Sequence, residues 1–135
     1  MSRADAAKIW SLNYRLLLSV ISSVEADITA LGLDSKELFL LAEIDEHPYP
    51  AELAATMSMP KATVTVYLKR LEAAGFVRRE IDTADLRRHR LLLTPAGHQA
   101  TTDGLGLLSA AFDKRLRRLT TAQRKELKNL LEQIL

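Results

Sequence analysis

The segment from Pro60 to Gly97 constrains this chain more than any other. It opens with PKATVTVYLKRLEAAG, where Val64, Leu68 and Leu71 recur at helical spacing and Gly75 supplies the left-handed residue that closes a helix. FVRREI follows as a short strand, DTADLRRH as a polar, arginine-rich turn, and Arg90 to Leu93 as a second strand. A helix with a polar, basic outer face followed at once by a basic hairpin is the arrangement of a winged helix-turn-helix. The chemistry it implies is binding to nucleic acid, not turnover of a small substrate.

The distribution of charge agrees. The net charge is only +2, but residues 1–59 hold 4 Lys/Arg against 9 Asp/Glu, residues 60–90 hold 8 against 4, and residues 91–135 hold 7 against 4. The basic excess begins where the groove-reading helix begins, as a local nucleic-acid footprint requires. A merely solvated basic face is the plainer alternative. At 135 residues and 47% apolar content, one domain with a filled core is expected. The absence of cysteine excludes disulfides, thiolate zinc sites and cysteine redox sensing. No apolar run approaches a membrane span and no signal peptide is read, so a cytoplasmic protein without a membrane partner is expected.

The flanking segments read as helices. A long first helix over about Ala4 to Leu31 carries Ile9, Leu12, Leu16, Val20, Ile21, Val24, Ile28 and Leu31 on one stripe, widened by Trp10, Leu17 and Leu18. So broad a stripe needs more than one packing partner. Gly32 ends it. Asp34 and Glu37 stand in capping-box relation at the start of a second helix with Leu38, Leu41 and Ile44 inward. His47-Pro48-Tyr49-Pro50 breaks that helix, and Pro50 opens a short third helix over Ala51 to Met57, with Leu53 and Ala54 inward. Ser58-Met59 is the turn before the fourth helix. Thr94-Pro95 opens a fifth helix, and Thr120 with Gln123 caps a sixth that runs to the C-terminus on Leu127, Leu130, Leu131 and Ile134. Gly104 and Gly106 inside the fifth helix each cost about 1 kcal/mol relative to alanine, which points to close approach of another helix or a bend.

Candidate DNA contacts follow from this register: Ser58 in the turn, and Lys61, Ala62, Thr63, Thr65, Val66 and Lys69 off the buried face of the fourth helix. Short Thr and Ala side chains let a helix approach base edges and can touch a thymine methyl. Lysines suit phosphates, which position the protein without specifying sequence. Arg87 or Arg88 at the hairpin tip suits a minor groove, with Asp85 holding the arginine and shaping the turn. Trp10, Tyr14 and Phe39 could line a ligand crevice between the terminal helices and the DNA-reading unit; core packing is the commoner use of such residues. His47, His89 and His98 have no partner at zinc-ligand spacing, and no phosphate loop, Ser-His-Asp pattern or supported carboxylate pair is present. No metal, cofactor or enzymatic activity is therefore expected.

Asp85-Leu86-Arg87, then Leu93-Thr94-Pro95-Ala96-Gly97, resembles the D-x-R … L-T-x-x-G signature of the MarR family of transcriptional regulators. Thr63-Val64-Thr65 followed by Lys69-Arg70-Leu71-Glu72-Ala73-Ala74-Gly75-Phe76-Val77 is similar to that family's recognition helix and its turn into the wing, and the order of flanking helices matches over nearly the whole chain. The resemblance implies a homodimer that binds a palindromic operator on double-stranded DNA, usually as a repressor released by a small-molecule effector. It implies Thr63, Thr65 and Lys69 in the major groove and Arg87 in the minor groove. Val66 stands where the family often has arginine, which removes a guanine or phosphate contact the resemblance would otherwise imply.

The expected fold is mainly α: a winged helix-turn-helix with a two-stranded β wing, and terminal helices forming a dimerisation region. Residues 1–135 form one domain, with the winged core at 34–93 and dimerisation helices at 1–31 and 95–135. The rival from another class is a winged-helix module that binds protein, which salt-dependent binding to duplex DNA would separate from a DNA reader.

Overall fold

The computed structural model describes residues 1–135. The elements are α1 (Arg3–Ala30), α2 (Ser35–Ile44), α3 (Pro50–Met57), α4 (Lys61–Ala73), β1 (Val77–Ile81), β2 (His89–Leu93), α5 (Pro95–Leu116) and α6 (Thr121–Ile134). The chain divides into two compact units, Glu25–Gly106 and Met1–Val24 with Leu107–Leu135.

In the unit Glu25–Gly106, local hydrogen bonds set the helix ends. The Asp34 carboxylate accepts from the Glu37 N–H at 2.7 Å while Glu37 accepts from the Asp34 N–H at 3.0 Å, so the capping box is complete. Pro50 occupies the first turn of α3, after Tyr49 in extended conformation. α3 closes on Ser58 at φ +51°, the one non-glycine residue with positive φ. A left-handed serine costs about 1–2 kcal/mol. The geometry it allows lets the Met59 N–H reach the Ala54 carbonyl at 3.0 Å and makes the tight turn into α4. Ile28, Leu38, Leu40, Leu41, Ile44, Leu53, Val64, Leu68, Leu71 and Leu91 are fully buried and form the core.

β1 and β2 pair antiparallel, with Val77 opposite Leu93, Arg79 opposite Leu91 and Ile81 opposite His89. The strand begins at Val77, one residue later than expected, because the Phe76 N–H is committed to the Leu71 carbonyl at 2.9 Å in the turn that closes α4. His89 belongs to β2 and not to the turn, since Ile81 needs it to complete the ladder. Burial is confined to Val77 and Leu91, so the hairpin projects as a wing. Its base is locked by the Leu93-Thr94-Pro95-Ala96-Gly97 motif. The Thr94 hydroxyl donates to the Gly75 carbonyl at 2.6 Å and accepts from the Gly97 N–H at 3.0 Å, which caps α5. A Cβ on residue 97 would lie 2.0 Å from the Phe76 oxygen, so only glycine fits there. Gly104 likewise admits α5 against Leu38 of α2, which bears out close approach as the reason for that glycine; a Cβ on Gly106 would meet nothing within 4 Å.

The unit Met1–Val24 with Leu107–Leu135 buries little. Its α6 starts on a complete Thr120–Gln123 capping box, at 3.1 and 2.9 Å. Only Val20 and Val24 of its apolar residues are buried, while Ile9, Trp10, Leu12, Tyr14, Leu17, Leu18, Leu130, Leu131 and Ile134 are exposed. The broad stripe of α1 is thus only partly satisfied within one chain. No single helix is long and apolar enough to cross a membrane.

Candidate nucleic-acid interface

The α4 helix turns Val64, Leu68 and Leu71 into the core. At about 100° per residue, Ala62, Val66, Lys69 and Ala73 then fall on the opposite face. All four are exposed, as are Lys61 and Thr65. Val66 lies near the centre of this outer face, 51% exposed. Thr63 departs from the expected free surface and is half-buried. It sits about 100° from Val64, on the shoulder of the helix it shares with Tyr67. The Thr65 hydroxyl donates to the Lys61 carbonyl at 3.0 Å, which uses its proton within the helix and leaves a methyl group and acceptor lone pairs for a partner. Ser58, the left-handed turn residue, is exposed beside the start of α4.

The positive charge around this face is only partly neutralised. Arg79 is held by Glu72 and Arg78 by Glu80, whereas Lys61, Lys69 and Arg90 make no ion pair. In the wing turn, Asp85 accepts from the Arg87 backbone N–H and from its Nε, each at 3.1 Å. The Arg87 side chain remains 90% exposed, so Asp85 aims it without covering it. These two bonds hold the Asp85 carboxyl below its ordinary range, the Arg87 side chain contributing most. Arg88 is placed differently from its neighbour. Its guanidinium lies 3.5 Å above the centre of the Tyr49 ring and 3.8 Å from Glu52, at the base of the turn. In the sequence Tyr49 stands out only as part of a helix break. The one available signal was a phenol set between two prolines, whose hydroxyl needs a partner.

Trp10 and Tyr14 stack on α1 with ring centroids 6.0 Å apart and are 69% and 51% exposed. Core packing within the chain, their commoner use, is therefore not what they do here: each lies on the part of α1 whose apolar stripe has no cover. Phe39, in the other unit, is half-buried on α2. His47 does gain carboxylate neighbours, two of them local in sequence and one brought in by the fold. Glu43 and Glu46 bring oxygens within 4.8 Å of its ring, and Glu52 lies 4.0 Å from Nδ1, because the break after α2 folds α3 back toward it.

A recognition-type helix with an uncovered outer face, entered by a tight turn and flanked by a basic hairpin, defines a winged helix-turn-helix DNA-binding regulator. The sequence profile of the MarR family matches residues 31–88. The HTH-type transcriptional repressor Rv2887 of Mycobacterium tuberculosis is 31% identical over 136 residues, covering 99% of this chain and 98% of its own. The crystal structure of that MarR family protein in complex with salicylic acid superposes with a TM-score of 0.74 at 30% identity, over 92% of this chain and 93% of the other. A crystal structure of MarR gives a TM-score of 0.81 at 26% identity, over 92% of this chain and 86% of the other. The chain belongs to the MarR family of transcriptional regulators.

Proposed function

We propose that the protein is a homodimeric repressor that acts in the cytoplasm on a palindromic operator and is released by a small-molecule effector. One observation carries the reading. The outer face of α4 offers Ala62, Thr65, Val66 and Lys69 without cover, next to a wing whose Arg87 is aimed outward and 90% exposed. In this reading α4 enters the major groove, where Thr63, Thr65 and Val66 meet base edges and Ser58, Lys61 and Lys69 meet phosphates. Arg87 enters the adjoining minor groove. Residues 34–93 read DNA, while helices within 1–31 and 95–135 dimerise. The uncovered Ile9, Leu12, Leu17, Leu18, Leu130 and Ile134 support dimerisation, since monomers rarely leave so large an apolar face to water. The effector is a small aromatic acid, by analogy with the salicylic acid bound to Rv2887. Aromatic contacts for it are offered by Trp10 and Tyr14 in one unit and, separately, by Phe39 in the other.

The test is selection of bound sequences from random duplex DNA at fixed salt, followed by a salt titration on the selected site. An inverted repeat with half-sites about one DNA turn apart is expected, with affinity falling steeply as salt rises. Arg87→Ala should weaken binding at least about tenfold, a loss of roughly 1.4 kcal/mol. Failure to enrich any site, together with flat salt dependence, would instead identify a module that binds protein.

A further inference from the structure

We propose that Tyr49 is the positioning residue that sets the orientation of the wing against the helix-turn-helix, and that Arg88 belongs to this clasp and not to the groove-contacting set. The inference rests on the DNA-reading function above for its consequence, but its geometry is independent of it.

Tyr49 lies in the link between α2 and α3 and is the residue from which α3 starts. Prolines on both sides restrict the link, and Tyr49 takes an extended conformation at φ −120°, ψ 138°. From there it reaches both ends of the wing turn. Its hydroxyl donates to Asp82, just past the end of β1. The other Asp82 oxygen accepts from the Ala84 N–H at 2.8 Å, so one carboxylate ties the link to the turn. The Asp82 N–H in turn donates to the Arg88 carbonyl at 2.9 Å. Arg88, just before β2, closes the ring with its guanidinium 3.5 Å over the Tyr49 ring and 3.8 Å from Glu52 of α3. Beneath these side chains, the Leu91 N–H of β2 donates to the Pro48 carbonyl at 2.7 Å. Residues 48, 49 and 52 therefore hold residues 82, 88 and 91.

A two-stranded hairpin alone is marginally stable and free to swing. Here its swing is resisted at the residue that begins the first helix of the helix-turn-helix. Arg87 is held to Asp85 within the turn, and the turn is held to Tyr49. The distance between the groove-facing side of α4 and the Arg87 guanidinium is then fixed before DNA arrives, and preorganisation of this kind lowers the ordering cost of binding. The Tyr49–Asp82 hydrogen bond also holds the Asp82 carboxyl below its ordinary range and pushes the Tyr49 phenol up.

Tyr49→Phe removes the hydroxyl and keeps the ring beneath Arg88. Backbone amide exchange over Thr83 to Arg88 in the free protein should accelerate by about 2- to 10-fold, the worth of one hydrogen bond. Operator affinity should fall within the same range with the salt slope unchanged, because no phosphate contact is lost. In an Arg87→Ala background the affinity effect of Tyr49→Phe should shrink below about twofold, because a misplaced wing costs nothing once its contact is gone. Asp82→Asn should reproduce these effects from the other side of the bond. Unchanged wing exchange in both variants would overturn the clasp, and an affinity loss equally large with and without Arg87 would overturn its action through the wing. Arg88→Gln lowering the salt slope by about one unit would overturn the assignment of Arg88. If wing exchange accelerates while Arg87→Ala leaves DNA binding intact, the clasp stands and the DNA role of the wing falls.

Discussion

The packing of α5 on α2 makes a signed prediction at two glycines, Gly104 and Gly106, two positions apart. A Cβ on residue 104 would sit 2.6 Å from Leu38 Cδ1, 2.8 Å from Cδ2 and 3.2 Å from Cγ. Ordinary carbon contacts lie at about 3.5–4.0 Å. Leu38 is fully buried in the same core as Leu40, Leu41 and Ile44, so it has no free volume into which to withdraw. Overpacking of this kind costs about 1–3 kcal/mol. Alanine also gains about 1 kcal/mol of helix propensity over glycine, but Gly106→Ala makes the same gain in the same helix and meets nothing within 4 Å. The propensity term cancels in the comparison, and Gly104→Ala should be less stable than Gly106→Ala by about 1–3 kcal/mol. With an unfolding entropy of about 2.1 cal/mol/K per residue, that is a difference of roughly 4–11 °C in melting temperature. The assay is thermal unfolding followed by circular dichroism at matched protein concentration, since the midpoint of an oligomer depends on it. In a Leu38→Ala background, itself destabilised by about 2–5 kcal/mol, Gly104→Ala should turn stabilising because its methyl enters the vacated space. Equal melting temperatures for the two single variants, or no reversal on truncating Leu38, would refute the reasoning.

The other predictions concern the outer face of α4, the proposed dimer and the wing. Val66→Arg should steepen the salt dependence of operator binding by about one unit and shift preference at one base per half-site by about 1–3 kcal/mol; no change in either across a panel of single-base operator variants would place Val66 away from DNA. Deleting Thr121 to Leu135 should produce monomers or aggregates in analytical ultracentrifugation, because the exposed Leu130, Leu131 and Ile134 supply part of the apolar surface that the proposed dimer would bury; a well-folded truncated dimer would refute the role of α6. The carboxyls of Asp82 and Asp85 both lie below their ordinary value in the folded chain, held there chiefly by Tyr49 and Arg87 respectively. Their contribution to wing order is therefore present above about pH 3.9 and lost as pH falls through the folded values. Carboxyl-carbon NMR should show both titrating below about pH 3.9, with Tyr49→Phe raising the Asp82 midpoint alone.

The parts of this molecule that were legible in the sequence are those whose hydrogen bonds close over three or four residues. Asp34 with Glu37, and Thr120 with Gln123, announce helix starts because each pair needs nothing but its own backbone. Gly75 announces a helix end for the same reason, and takes φ +82°. The exposed outer side of α4 was legible because a buried stripe of Val64, Leu68 and Leu71 determines by geometry what lies opposite it. Periodicity says that a stripe is apolar and stays silent on what covers it. The stripe of α1 reads the same at Val24, which is buried in the chain, and at Leu12, which is not. Trp10 and Tyr14 were accordingly open to either a core or a crevice reading. Tyr49 lay further out of reach, since its partner Asp82 is 33 residues away and nothing in the local pattern of either residue demands the other. Helix register decides which side chains face outward, but the angle between α4 and the wing depends on contacts between segments distant in sequence. In this chain those contacts meet at the Pro48-Tyr49-Pro50 break, so the residues that interrupt a helix also hold the wing.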